Sequence, residues 1–342
     1  GGLLDMGGEV TSVGVTRNNQ AIVCINTSPN YTSPSGVLKV IDIPSKTVVQ
    51  TMDLGGQPDA VAISPDMNYA AIAIENERDE DLGDGSPPQL PAGFLVIVDT
   101  SNADPVLWTK VNVDLAGLDG LRFASDPEPE YVAINSNNIA VVTLQENNGL
   151  VLVDLASATV TDSFSAGSVN LTQVDTQEEA VISQTAALSQ IPREPDGVTW
   201  IASDKFVTAD EGDLDGGSRG FTIFSTSGVV LYTSGSTMEH MAAHLGHYPE
   251  ERSKNKGNEP ENVVYGEFGS KKLLFVNSER SSLVFVYDVA DPASPQHLQT
   301  LPAGVGPEGG LAIPQRNLLV IASEKDNRGD KMRSVLNIYQ YG

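Results

Sequence analysis

Short runs of β-forming residues, each bounded by turn residues, recur along the whole chain. The first stretch reads VTSVGV, QAIVCIN, GVLKVID and TVVQTMD. The second reads DAVAI, NYAAIAIE, GFLVIVD and VLWTKVNVD, and the third EYVAI, NIAVVTL, GLVLVDL and TVTDSFS. NVVYGEF, KLLFVNS, SLVFVYDV and HLQTL follow later, joined by turns such as SPDMN, NSNN and DPASP. Four strands per unit, repeated, predict an all-β chain built as a closed β-propeller of four-stranded blades. Six repeats can be counted, with seven as the alternative, and residues 1–342 are expected to form one propeller domain.

The last repeat supplies three strands, LAI, LLVIAS and SVLNIYQ, so LLDM near the N-terminus is expected to serve as its missing outer strand. The opening GGLLDMGG has the look of a chain cut from something longer, which would remove an N-terminal blade. Three segments break the strand pattern. ENERDEDLGDGSPPQLPAG reads as an acidic loop, whereas TQEEAVISQTAALSQIP and TMEHMAAHLGHYPEERSK read as short helical insertions.

A carboxylate opens nearly every repeat, usually just after a proline: Asp59 in QPDAVAI, Glu130 in EPEYVAI, Asp196 in EPDGVTW, Glu261 in NEPENVV and Glu308 in GPEGGLAI, with Glu9 as a looser first member. The intervals are 50, 71, 66, 65 and 47 residues, and the shorter ones match a blade of ~40–50 residues. A second acid ends the second strand of each repeat: Glu77, Glu146, Glu211, Glu279 and Glu324. A β-hairpin starts and ends at the same edge, so the two acids of a repeat should meet there. In the first repeat Asn26 stands at the second position. Asp213 and Asp215 in DEGDLDGGSRG alternate as in calcium loops, although not in the twelve-residue EF-hand pattern. Crowded carboxylates raise one another's pKa unless a counter-charge joins them, and Ca2+ takes six to eight oxygens. Calcium is therefore the expected cofactor, and these twelve acids from Asp59 to Glu324 are the candidate ligands. The competing reading of each acid is a bond to backbone amides that locks neighbouring blades, while Asp42, Asp99, Asp154 and Asp288 read as turn caps.

Composition narrows the partners. The 342 residues include 45 acids against 20 bases, a formal charge of -25, which repels nucleic acid and draws cations. Cys24 is the single cysteine, so no intrachain disulfide exists, and its apolar setting reads as core. No apolar stretch approaches the ~18 residues of a membrane span.

Several of these stretches resemble the choice-of-anchor I family: PDAVAISPDMNYAAIAIENERDED, PEYVAINSNNIAVVTLQENNGLVLVDL, EPDGVTW with FVTADEGD, and RSKNKGNEPENVVYGEFGSKKLLFVNSERSSLVFVYDVADPASPQ. The resemblance spans nearly the whole chain and is strongest over 126–154 and 252–295. The family includes MSP130-like proteins associated with biomineralisation and bacterial members labelled alkaline phosphatase-like. It implies a secreted or surface propeller, usually seven-bladed, with one more blade before the region where this chain begins. QLPAGF stands where the family often has an Asp-Pro-Glu-Gly turn.

Other chemistry is thin. His240, His244 and His247 have the spacing of a zinc-binding face, but a packed insertion helix is the preferred reading. No Gly-x-Ser-x-Gly, phosphate loop or dinucleotide fingerprint occurs. Arg193, Arg219 and Arg280 are few for a phosphoryl clamp. Sequons at Asn26, Asn30 and Asn170 suit a surface glycoprotein. The expectation is an extracellular or cell-surface calcium-binding matrix or adhesion protein, non-enzymatic and open to mineral, matrix and surface-protein partners or self-assembly. A metal-dependent phosphoesterase and a structural subunit of an extracellular assembly are the alternatives.

Overall fold

The structure, a computed structural model, describes residues 4–327, 329 and 331–342. It is an all-β propeller whose blades are antiparallel meanders, and the chain divides into two compact units, 1–165 and 166–342.

The first unit holds three four-stranded blades. They are β1 (Glu9–Thr16), β2 (Gln20–Asn26), β3 (Gly36–Asp42) and β4 (Thr47–Asp53); β5 (Pro58–Ile63), β6 (Tyr69–Ile74), β7 (Phe94–Asp99) and β8 (Thr109–Asp114); then β9 (Pro129–Ile134), β10 (Ile139–Leu144), β11 (Gly149–Asp154) and β12 (Thr159–Ser165). Near-continuous apolar runs in the second and third strands are buried on both faces, as blade-on-blade packing requires. Ile22, Leu38, Ile72, Val96 and Trp108 fill one inter-blade core, and Ala73, Leu95, Val132, Val142 and Val151 the next. Side chains add cross-blade ties. Arg17 donates to the carbonyls of Asp66 and Met67, and Asn138 Nδ2 donates to Asp66 Oδ2 at 2.8 Å.

The second unit begins with a hairpin of β13 (Ser168–Val174) and β14 (Ala186–Pro192). Two four-stranded blades follow: β15 (Val198–Ala202), β16 (Lys205–Asp210), β17 (Gly220–Ser225) and β18 (Val230–Thr233), then β19 (Pro260–Phe268), β20 (Lys271–Ser278), β21 (Leu283–Asp288) and β22 (Gln296–Pro302). The last sheet has three strands, β23 (Pro307–Ile313), β24 (Leu318–Ser323) and β25 (Val335–Gln340). The helix α1 (Thr237–Leu245) buries Met238 and Ala242 and ends at Gly246, whose φ of 75° places it in the left-handed region that a helix C-terminus favours.

The second expected helical insertion forms this way, but the first does not. Residues 176–192 enter the β13–β14 hairpin, where Leu188 and Ile191 pack on Val169, Leu171 and Val174. A cross-strand partner outweighs the local helical preference of TQEEAVISQTAALSQIP. Leu4, Asp5 and Met6 carry no strand, and Gly1–Leu3 lie outside the described residues, so the outer strand expected from LLDM is not formed among the described residues. Met6 instead packs with Val23, Ile25 and Ile41 of the first blade, and its carbonyl accepts from Lys39 Nζ at 2.7 Å.

Candidate functional site

Proline fixes where each carboxylate sits. It has no N–H to give the ladder, and the pairing slips immediately after it. Register shifts fall between Pro58 and Val61, at Pro129 of β9, between Pro260 and Asn262, and between Pro307 and Gly310. Asp59, Glu130, Glu261 and Glu308 lie within these bulges, which re-aim a side chain away from the regular pleat. The hairpin is then closed by one recurring backbone bond to the residue before the proline. Glu75 N donates to Gln57 O (3.0 Å), Glu279 N to Glu259 O (2.9 Å) and Glu324 N to Gly306 O (2.9 Å). In the second repeat the second acid is therefore Glu75, not the expected Glu77. Glu77 lies two residues further along and accepts from Gln57 Nε2 at 3.1 Å.

In the first unit Asp59, Glu75 and Glu130 each place a carboxylate oxygen within 4.8 Å of the others. All three are half-buried and come from adjacent blades. Burial, then the charges of Asp59 and Glu146, push Glu75 well above the ordinary carboxylate range. Glu146 takes a different role: with Glu128 it holds the buried Arg78, whose Nη1 is 2.8 Å from Glu146 Oε1 and 3.2 Å from Glu128 Oε2. Burial pushes Glu128 up to about 7 despite the guanidinium.

Two overlapping groups form in the second unit, Asp196–Glu211–Glu261 and Glu211–Glu259–Glu279, on the same 4.8 Å criterion. Burial followed by the charges of Glu211 and Asp196 raises Glu261 well above its usual range. Glu279 reaches about 7 through burial. Cations stand beside these acids. Lys256 Nζ lies 3.3 Å from Glu211 Oε1 and 2.6 Å from Gly212 O, and Glu259 is gripped by Arg252 (2.6 Å) and Arg280 (2.9 Å). Glu308 and Glu324 stay outside both groups. Burial and Glu324 raise Glu308 to about 7.

Asp213 and Asp215 are not drawn into either group. Their backbone amides, with that of Gly216, instead surround the carboxylate of Glu194 at 2.7, 3.1 and 3.0 Å. Glu194 and Glu259 are fully buried, and both have φ of 44° immediately before a proline. That backbone is disfavoured for a non-glycine residue and persists where anchored side chains over-determine it. The acid before the proline is thus as important as the one after it. Its signal was the tripeptide Glu-Pro-acid, which occurs at 128–130, 194–196 and 259–261.

The first repeat departs from the pattern as expected, since Asn26 Nδ2 donates to Glu9 Oε2 at 3.3 Å. The histidines do not converge. His240 Nε2 meets Gln173 O at 2.6 Å, His247 Nδ1 meets Ser281 O at 3.0 Å, and His244 is exposed. Of the sequon asparagines, Asn30 and Asn170 are exposed and Asn26 is half-buried.

Comparison with known proteins agrees with this architecture. The model of the choice-of-anchor I domain matches residues 3–216 and 214–292. No curated protein matches the chain. Among solved structures, a functionally unknown protein from Desulfotomaculum acetoxidans DSM 771 aligns with a TM-score of 0.59 at 12% identity, over 98% of this chain and 84% of that one. A protein from Lactobacillus plantarum aligns with a TM-score of 0.59 at 12% identity, over 99% and 90%. The RRP9 WD40 repeats give 0.52 at 11% identity, over 99% and 96%. At such identities the likeness shows the fold alone.

Proposed function

The chain belongs to the choice-of-anchor I family, which points to cell-surface association, and from that premise we propose a non-enzymatic propeller that holds Ca2+ on carboxylates of its inner strands. The observation that carries the reading is the convergence of Asp59, Glu75 and Glu130. Three carboxylates within 4.8 Å, one of them forced towards its protonated form, make a place where a cation relieves repulsion that the fold otherwise bears. The donor set is all oxygen, with neither imidazole nor thiolate, which suits a hard cation with flexible geometry and disfavours zinc. The groups around Glu211 offer the same donors, with Lys256 and Arg280 already contributing positive charge. The surface role is that of a matrix or adhesion protein of MSP130-like kind, glycosylated at Asn30 and Asn170 where the host permits.

An alkaline phosphatase-like activity would need cationic groups turned towards a phosphoryl group. Arg78, Arg252 and Arg280 are committed to carboxylates instead.

Calorimetric titration of the purified chain with Ca2+, alongside thermal melting, tests the reading. A ligand that binds only the native state at a hundredfold excess over Kd stabilises it by about 2.7 kcal/mol. Ca2+ should raise Tm, and Glu75→Gln with Glu130→Gln should remove much of the response, whereas Asp42→Asn should not. A chain indifferent to Ca2+ in both measurements would leave these acids as locks between blades. Metal-dependent turnover of phosphomonoesters, abolished by Glu211→Gln, would favour the hydrolase.

A further inference from the structure

Two of the carboxylate triads are one device built twice. Asp59 and Asp196 follow the proline that opens a blade, and Glu130 and Glu261 follow the proline that opens the next. Glu75 directly follows β6, the second strand of its blade, and Glu211 directly follows β16, the second strand of its own. In each copy, carboxylate oxygens of the three residues lie within 4.8 Å of one another. The same three repeat positions thus make the same three-armed acceptor, once in each unit.

The copies differ in what stands beside the middle acid. In the second unit the chain places a primary ammonium there: Lys256 Nζ is 3.3 Å from Glu211 Oε1 and donates to Gly212 O at 2.6 Å. Around Glu75 the sign is reversed. After burial, the influences that raise it most are the charges of Asp59, Glu146, Glu77 and Glu128, all of them carboxylates. The nearby Arg78 is already shared between Glu146 and Glu128, at 2.8 and 3.2 Å.

A second observation points the same way. Glu128 is 1% exposed, yet among the described residues its Oε1 has no hydrogen-bond partner. A buried acceptor left without a donor is costly, and this one belongs to a carboxylate whose charge reaches Glu75. Acceptors therefore outnumber donors around the first triad. Its three acids are half-buried rather than enclosed.

We propose that the Asp59–Glu75–Glu130 triad recognises a primary alkylammonium, its three N–H groups shared among the three carboxylates. Lys256 is the precedent, a group of this kind that the second unit carries on its own chain. The donor geometry fits. An ammonium has three N–H donors in a tetrahedral array, and charge-assisted bonds of about 2.8 Å set their acceptors roughly 4.6 Å apart. That separation falls within the limit the triad satisfies. A planar guanidinium, with its donors in a flat fork, matches three converging acceptors less well. The proposal rests on the reading that this triad takes a cation, and it makes Ca2+ and the ammonium competitors for one place.

Calorimetric titration of the full chain tests this with two probes, n-butylammonium and butyltrimethylammonium, which has the same charge but no N–H donor. Butylammonium should bind at least ~10-fold more tightly than the trimethyl form. Asp59→Asn and Glu75→Gln, each with unchanged circular dichroism, should weaken it at least ~10-fold, whereas Glu308→Gln, outside the triads, should not. A blocked Gly-Lys-Gly peptide separates the sources: tighter binding than butylammonium assigns the group to a protein side chain, weaker binding to a free amine, and either upholds the proposal. Ca2+ that raises Tm while butylammonium fails to bind would overturn the proposal and leave the calcium reading standing. An amine that binds where Ca2+ does not would do the reverse, and indifference to both would sink both. Equal affinity for the two probes, or binding unmoved by Asp59→Asn and Glu75→Gln, would reduce the effect to the formal charge of -25 and overturn the proposal as well.

Discussion

The ammonium of Lys256 stands 3.3 Å from Glu211 Oε1, and Glu211 belongs to both carboxylate groups of the second unit. It also donates to Gly212 O at 2.6 Å, and Asp213 Oδ1 is 4.0 Å away. The chain thus supplies part of its own counter-charge, and any bound cation has to compete with it.

Lys256→Gln should therefore strengthen Ca2+ binding in the second unit by at least ~10-fold, about 1.4 kcal/mol, well below the Coulomb energy of a contact pair at an effective dielectric of 20. The same substitution should lower Tm in chelator, because Glu211 loses its partner. Calorimetric titration and melting together check both signs, and an unchanged affinity would show that the ammonium does not compete.

Arg78 is 4% exposed and holds two carboxylates that are themselves buried. Arg78→Met should cost about 3–5 kcal/mol in urea unfolding, since it leaves buried charges uncompensated. Adding Glu128→Gln and Glu146→Gln should recover much of that loss. A single-variant cost under about 1 kcal/mol would mean the carboxylates already hold protons or water.

The pH dependence has a definite sign. Glu128, Glu279 and Glu308 lie at about 7 in the fold against an ordinary 4.5, and Glu75 and Glu261 are raised as well. The native chain thus holds more protons than the unfolded one between those values. Their contribution to stability is fully present below about 4.5 and is lost as pH rises through about 7. In chelator, Tm should be higher near pH 5.5 than near pH 8, and excess Ca2+ should shrink or reverse the difference. A melting profile in chelator that climbs over this range would contradict the assignment.

Glu194→Gln keeps the shape of the side chain but replaces one acceptor oxygen with a donor. The amides of Asp213, Asp215 and Gly216 now share that carboxylate. The substitution should cost roughly 1–3 kcal/mol and speed hydrogen exchange at these three amides. Unchanged exchange there would show that the loop holds its shape without Glu194.

The strand rhythm was legible because a half-apolar meander with turns such as SPDMN can hardly be anything else, and even the three-stranded last repeat showed in the sequence. The carboxylates before and after each proline were harder. Spacing pointed to Glu77, yet the backbone bond from Glu75 N to Gln57 O decides the position. Asp213 and Asp215 looked like ligands because their side chains alternate, but the loop is organised through their amides. The counter-charges Arg78 and Lys256 reach Glu146 and Glu211 from connecting segments 68 and 45 residues away in the chain. Such long-range pairings leave no periodic trace. The segment 176–192 carries a helical preference in its own composition, and its pairing with β13 overrides that preference.

The slip in register after each proline has a consequence for how such a chain can change over generations. At positions 59, 130, 261 and 308 the residue sits inside a slip of the strand register. Its side chain contributes little to the ladder, so it can be exchanged with the surrounding strands left as they are. Lineages could trade the carboxylate for asparagine, serine or histidine one blade at a time, altering which ion or surface is met while the scaffold stays intact. The fold thereby separates the inheritance of shape from the inheritance of chemistry.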